Sequence, residues 1–142
     1  MCNVSAVVAV DAELSEYSVD DVGRAEDVIV SQWREVSANE QHQVHEQVDE
    51  ILRPLGFETR LLVIRRANSL ALYFLCLTLS ALMSLRDKWR SRQLREIVQK
   101  FFTFLSGATD KVYIKRLIWP VSDYERCVEF FSYLQGELMI LS

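Results

Sequence analysis

The apolar positions of this chain change period once, between residues 69 and 107, and the other predicted elements are arranged around that change. Leu70-Ala71-Leu72-Tyr73-Phe74-Leu75-Cys76-Leu77 is an uninterrupted apolar run, as expected of a strand buried on both sides. From Leu79 the apolar residues recur at Leu82, Leu85, Trp89, Leu94, Ile97, Val98, Phe101, Phe102 and Leu105. That spacing predicts one long amphipathic helix, capped by Thr78 or Ser80 and closed by Gly107. Arg86, Lys88, Arg90, Arg92 and Arg95 fall between the apolar positions and read as the solvent face of this helix.

The flanking sequence supplies elements that can cover these two surfaces. A β-branched run over 4–10, ended by Asp11, predicts a first strand, followed by an acidic loop through Asp21. Ser18 and Asp21 resemble a helix start, after which Val22, Ala25, Val28 or Ile29, Trp33 and Val36 keep helical spacing. A second helix is capped by Asn39, buries Val44, Val48, Ile51 and Leu52, and stops at Pro54 and Gly56. Residues 59–66 form the second strand, and Ala67-Asn68-Ser69 turns it into the third as a hairpin. Residues 111–119 form the fourth strand, halted by Pro120. Ser122 with Glu125 reads as a capping box for a last helix that buries Tyr124, Cys127, Val128, Phe131 and Leu134 and ends at Gly136.

This order predicts an α+β fold: a ferredoxin-like two-layer plait with a four-stranded antiparallel sheet, helices mainly on one face and an extra C-terminal helix. The second sheet face is left open. Its outward alternates are expected among Val7, Ala9, Leu61 or Leu62, Tyr73 and Tyr113, and several of these are apolar, which makes the face a candidate interface.

Composition narrows the reading. The chain has 142 residues, half of them hydrophobic, with four Gly and two Pro, so a single domain over 1–142 with its own core is expected. Residues 1–38 hold the first strand and the acidic segment. The net charge of −4 is uneven: residues 1–57 carry three basic and twelve acidic side chains, a net of −9, whereas 58–142 carry thirteen and eight, a net of +5. Either two solvated faces attract each other within the fold, or the second half bears a basic partner-binding patch. Cys2, Cys76 and Cys127 are odd in number and far apart, which suits reduced thiols and a cytoplasmic location.

No catalytic constellation is found. Four glycines cannot assemble a P-loop or a dinucleotide turn, and no nucleophile has a base within a recognisable motif, so no enzyme activity and no cofactor are expected. His42, His45 and Asp49 share a helix face with Glu46 nearby, but without thiolates or a His-Glu-x-x-His pattern, so no metal is expected. RNA binding by the third strand would need a Gly-containing basic motif around Tyr73 and Phe74, which is absent; no nucleic-acid partner is expected. Residues 67–85 are nineteen uncharged positions, and a membrane span there is the alternative reading.

One resemblance adds to this. Leu62-Val63-Ile64-Arg65-Arg66-Ala67-Asn68-Ser69 with the apolar strand after it resembles the second hairpin of the TRADD N-terminal domain family. Leu85-Arg86-Asp87-Lys88-Trp89-Arg90-Ser91-Arg92-Gln93-Leu94-Arg95 is similar to its long helix, and the fourth strand with Asp123-Tyr124-Glu125-Arg126-Cys127 continues the likeness, which spans about 39–135. It implies a non-catalytic adaptor or scaffold domain of death-receptor or innate-immune signalling that binds TRAF-type C-terminal domains through its exposed sheet face. That family places aromatics on the first strand, where this chain has Val7 and Ala9, and Arg65 stands where the hairpin could offer a His. The contact residues expected from the likeness and the pattern together are Val7, Ala9, Arg65, Arg66 and Tyr73, with Arg90 or Arg92 on the rim. A homodimer through the open sheet, as in a self-associating α/β regulatory domain, is compatible with the same surface.

Overall fold

In a computed structural model, the described residues are 5–15, 22–38, 42–107 and 112–141. They form, in chain order, β1 (Ala6–Leu14), α1 (Val22–Ala38), α2 (His42–Leu52) with a 3-10 turn at Arg53–Leu55, β2 (Thr59–Arg66), β3 (Leu70–Cys76), α3 (Leu79–Arg90), α4 (Gln93–Ser106), β4 (Ile114–Ile118) and α5 (Val121–Leu141). The four strands make one antiparallel sheet in the order β2-β3-β1-β4, so each helical crossover skips one strand.

Period-2 alternation builds the buried side of the sheet. Ala6, Val8, Val10, Ala12 and Leu14 of β1 are buried, and register places them beside Cys76, Phe74, Leu72 and Leu70 of β3. Against this surface pack Ala25, Ile29 and Trp33 of α1, Val48 of α2, Leu82 and Leu85 of α3, and the α4 stripe from Leu94 to Leu105, in one continuous core. α5 adds Phe131 and lies against α3 and β1. The predicted α+β architecture, with its four-stranded antiparallel sheet, is therefore observed.

Several boundaries differ, each for a physical reason. β1 continues past Asp11 because Asp11 and Glu13 alternate onto the opposite face while Ala12 and Leu14 stay in the core. The long helix is two helices. Arg92 takes a left-handed conformation (φ 67°) that ends α3 and starts α4. The apolar gap from Trp89 to Leu94 is five residues, too long for a continuous stripe, and the break lets α4 turn its stripe onto α1 and α2. β4 is shorter than expected and begins at Ile114. α5 starts at Val121, where the Pro120 carbonyl accepts from the Asp123 and Tyr124 amides, so Ser122 lies inside the first turn; the helix also runs through Gly136. Asn39, Ser18 and Asp21, expected at helix starts, lie outside the described residues.

The turn from β3 into α3 is built as expected. Thr78 is the N-cap: its Oγ1 accepts from the Ala81 amide at 3.0 Å and donates to the Glu58 carboxylate. Gly107 closes α4 at φ 78°, a conformation that disfavours side chains with a Cβ. Thr78→Ala should lower stability by about 1 kcal/mol, whereas Thr78→Ser should retain it. The urea midpoint of unfolding measures both.

Residues 67–85 are split between the hairpin turn, β3 and the start of α3. Among the described residues, no helix is long and apolar enough to cross a membrane. The alternative of one spanning helix over 67–85 is thereby corrected: the uncharged stretch is a core strand and the apolar start of an amphipathic helix. Cys76 is fully buried, and burial pushes its thiol up to about 11, against a smaller lowering by a hydrogen bond with Thr59; Cys127 is half-buried, and both are free. These are inert packing thiols.

A candidate protein-binding face on the sheet

The side of the sheet turned away from the helices is assembled by cross-strand register. Arg60, Leu75 and Val7 form one row; Val63, Tyr73 and Ala9 form the next; Arg65, Ala71, Asp11 and Ile118 form a third; Glu13 and Arg116 lie beyond it. Val7 is 52% exposed, Val63 37% and Ile118 36%, while Ala9, Asp11, Tyr73 and Leu75 are half-buried, so the surface is partly open among the described residues. Ala71, between Arg65 and Asp11 in its row, is buried.

The face has an apolar centre and charged margins. The Arg65 guanidinium lies 5.7 Å from the Tyr73 ring centroid, an attraction of cation and π-face that holds it over the sheet. Glu13 is bound by Arg116 at 2.6 Å and Lys115 at 3.6 Å, and the hydrogen bond from Arg116 holds its carboxyl below the usual range. Asp11 is different. Desolvation pushes its carboxyl up, and the neighbouring Asp123 carboxylate pushes in the same direction. A raised folded pKa means that Asp11 contributes stability when protonated and loses it as pH rises through that value.

The sheet edges are occupied by side chains. On β4, Gln99 donates to the Val112 carbonyl and accepts from the Ile114 amide at 2.8 Å, while Arg95 donates to the Ile114 carbonyl at 2.6 Å. Farther along, Trp89 donates to the Leu117 carbonyl at 3.1 Å and Arg86 to the Trp119 carbonyl at 2.7 Å. Four side chains from α3 and α4 thus replace a neighbouring strand. On the opposite edge, β2 carries a bulge between Leu61 and Val63, and the Trp33 indole donates to the Leu62 carbonyl at 3.3 Å. The caps along β4 and the bulge with its single cap on β2 disfavour strand addition at these places.

The structure brings together four of the expected contact residues: Val7, Ala9, Arg65 and Tyr73 share the open face. Arg66 does not join them. It pairs with Leu70, one position out of phase with Arg65, and so points to the helix layer, where it binds Asp27 at 2.7 Å and Glu26 at 3.8 Å. Arg90 and Arg92 sit at the α3–α4 turn, in the helix layer rather than on the sheet rim. Leu61 faces the core, Leu62 lies in the bulge, and Tyr113 precedes β4. Arg86 and Arg95 leave the expected solvent face because both hold the edge of β4. Asp11, Val63, Leu75 and Ile118 belong to the open face but do not stand out in the sequence. Only the alternation of 7, 9 and 11 could flag Asp11, and only if β1 is extended beyond Val10.

A separate cleft of about 740 Å³ runs between α1, α2 and β2, lined by Trp33, Val36, Leu52, Leu55 and Leu61, with Phe57 fully exposed at its mouth. His45 and Asp49 also line it, and no group of His, Cys, Asp and Glu suited to a metal is found among the described residues. Comparison of the chain with protein-family models, with curated proteins and with solved structures yields no match.

Proposed function

We propose that the chain is a non-catalytic protein-interaction domain, an adaptor or scaffold module that binds a protein partner through the open face of its sheet. The observation that carries this reading is a partly open, largely apolar sheet surface centred on Val7, Ala9 and Tyr73, in a fold whose β4 edge is capped by helix side chains. An apolar face with charged margins is the usual anatomy of a recognition surface. The likeness to the TRADD N-terminal domain supplies the partner class, a TRAF-type C-terminal domain, and the setting, death-receptor or innate-immune signalling in the cytoplasm.

Calorimetric titration of the protein with a TRAF C-terminal domain tests this. Saturable binding in the micromolar range is expected, and Val7→Glu should weaken it by about tenfold or more, because a carboxylate would be desolvated at the centre of the contact. The circular dichroism of the variant should be unchanged, since Val7 faces solvent in the free chain. Unaltered affinity in Val7→Glu would remove the sheet face from the interface. Absence of heat from folded protein would remove this partner class.

A further inference from the structure

We propose that the open sheet face also binds a second copy of the same chain, in a two-fold dimer held by reciprocal Arg65–Asp11 pairs. This rests on the reading of the sheet as an interaction face and names one occupant for it. Arg65 and Asp11 stand in the same cross-strand row, separated by Ala71 on β3. They are two strands apart, about 10 Å between backbones, and within one chain the Arg65 guanidinium is turned onto the Tyr73 ring and makes no ion pair with Asp11. Arg65 is exposed over Tyr73, and the charged group acting on Asp11 is another carboxylate, Asp123. Each thus presents an uncompensated charge on one face, one of each sign, at the same level.

Symmetry converts this layout into complementarity. A two-fold axis parallel to the strands and passing over β3 keeps the rows level and sets β2 of one copy over β1 of the other. Arg65 then faces Asp11 of the second copy, and Asp11 faces its Arg65. Val63 meets Ala9, Arg60 meets Val7, and Tyr73 meets its own counterpart on the axis. A two-fold interface must be self-complementary in this way, and both charge pairs form at once. The alternative axis, across the strands, would place the Arg60 row over the Arg65 row and is disfavoured by like charge.

Size sets the expected strength. The overlap, three strands wide and about seven residues long, spans roughly 14 Å by 24 Å. That is well below the ~800 Å² per partner of a standard stable interface, so a weak dimer with micromolar dissociation is expected.

Sedimentation equilibrium between about 10 and 500 μM, a range that brackets such weak association, tests the proposal. The wild-type chain should pass from monomer to dimer. Arg65→Glu and Asp11→Lys should each weaken dimerisation by about tenfold or more, since each puts two like-charge pairs across the axis. An equimolar mixture of the two variants should dimerise again. The introduced glutamate of one copy then faces the introduced lysine of the other, and the second pair across the axis keeps its native Asp11 and Arg65. Asp11→Asn, which keeps the side-chain volume, serves in place of Asp11→Lys for the single-variant arm if the lysine variant is not folded by circular dichroism. A monomeric wild type across the range overturns the dimer while leaving the partner titration to decide the wider reading. A dimer insensitive to either variant, or one that mixing fails to restore, overturns this interface.

Discussion

Replacing Arg86 by alanine should lower the stability of the fold by about 2–4 kcal/mol, an unusually large cost for removing a charged side chain. Arg86 is only 5% exposed, and no carboxylate pairs with it among the described ion pairs. Its guanidinium instead lies 4.2 Å from the Trp89 ring centroid, 5.0 Å from Tyr124 and 5.1 Å from Trp119. It also donates to the Trp119 carbonyl at 2.7 Å. Burial draws its pKa down, with Arg90 adding to the shift and Tyr124 opposing it, yet an arginine stays charged under these conditions. Three desolvated π-faces, each worth about 1–2 kcal/mol, and a charge-assisted hydrogen bond offset the cost of burying the cation.

Truncation removes all of these at once. It also leaves the carbonyl of Trp119 without its donor and a gap between α3, α5 and the end of β4. Arg86→Leu should refill part of the gap and escape the desolvation cost, so a loss of about 1–2 kcal/mol is expected, chiefly from the orphaned carbonyl. Arg86→Lys should fall between the two, because an ammonium cannot lie flat between rings. Urea unfolding followed by circular dichroism distinguishes these outcomes if the slopes agree. A neutral Arg86→Ala would mean that the aromatic box only cancels the desolvation of the cation.

Phe101→Ala should cost about 3–5 kcal/mol, more than the loss expected for Arg86→Ala. Phe101 is fully buried on α4 and meets Trp33 of α1 edge-on, with centroids 5.3 Å apart and planes at 69°. The lost ring takes with it burial, the aromatic contact and the seam between α1 and α4, and a rigid core closes the cavity only in part. A loss of this size is a large share of the roughly 5–15 kcal/mol typical of a domain, so a melting temperature lower by about 10 °C or more is expected. Phe57→Ala, at a side chain 96% exposed, should change stability by no more than about 0.5 kcal/mol. The contrast between the two phenylalanines checks the burial argument on one residue type.

Much of the fold was legible because short-range periodicity reports burial. The second strand is found at the positions its sequence predicts, Thr59–Arg66, and the Ala67-Asn68-Ser69 turn returns it to β3. Ala25, Ile29 and Trp33 follow helical spacing and are buried on α1. The positions of Val7, Ala9, Tyr73 and Arg65 on one face follow from alternation combined with hairpin pairing. Local periodicity misleads where a side chain's role depends on a partner distant in sequence. Asp11 looks like the end of a strand because acids are poor strand residues, yet it sits on the face where no core is needed.

Local spacing in the chain was enough to set the class of each element, the buried side of most of them and the apolar character of the face left over, because these depend on positions a few residues apart. The use of the arginines was decided by tertiary packing alone. Arg65 and Arg66 are adjacent in sequence but lie on opposite sides of the sheet, since strand register alternates. Arg86 and Arg95 resemble their solvent-facing neighbours until β4 and the Trp119 loop pack across α3 and α4 and use them as hydrogen-bond donors. Pairing of that kind joins residues 19 and 33 positions apart. No periodicity encodes it, because it arises from strand order and helix placement once the core has closed.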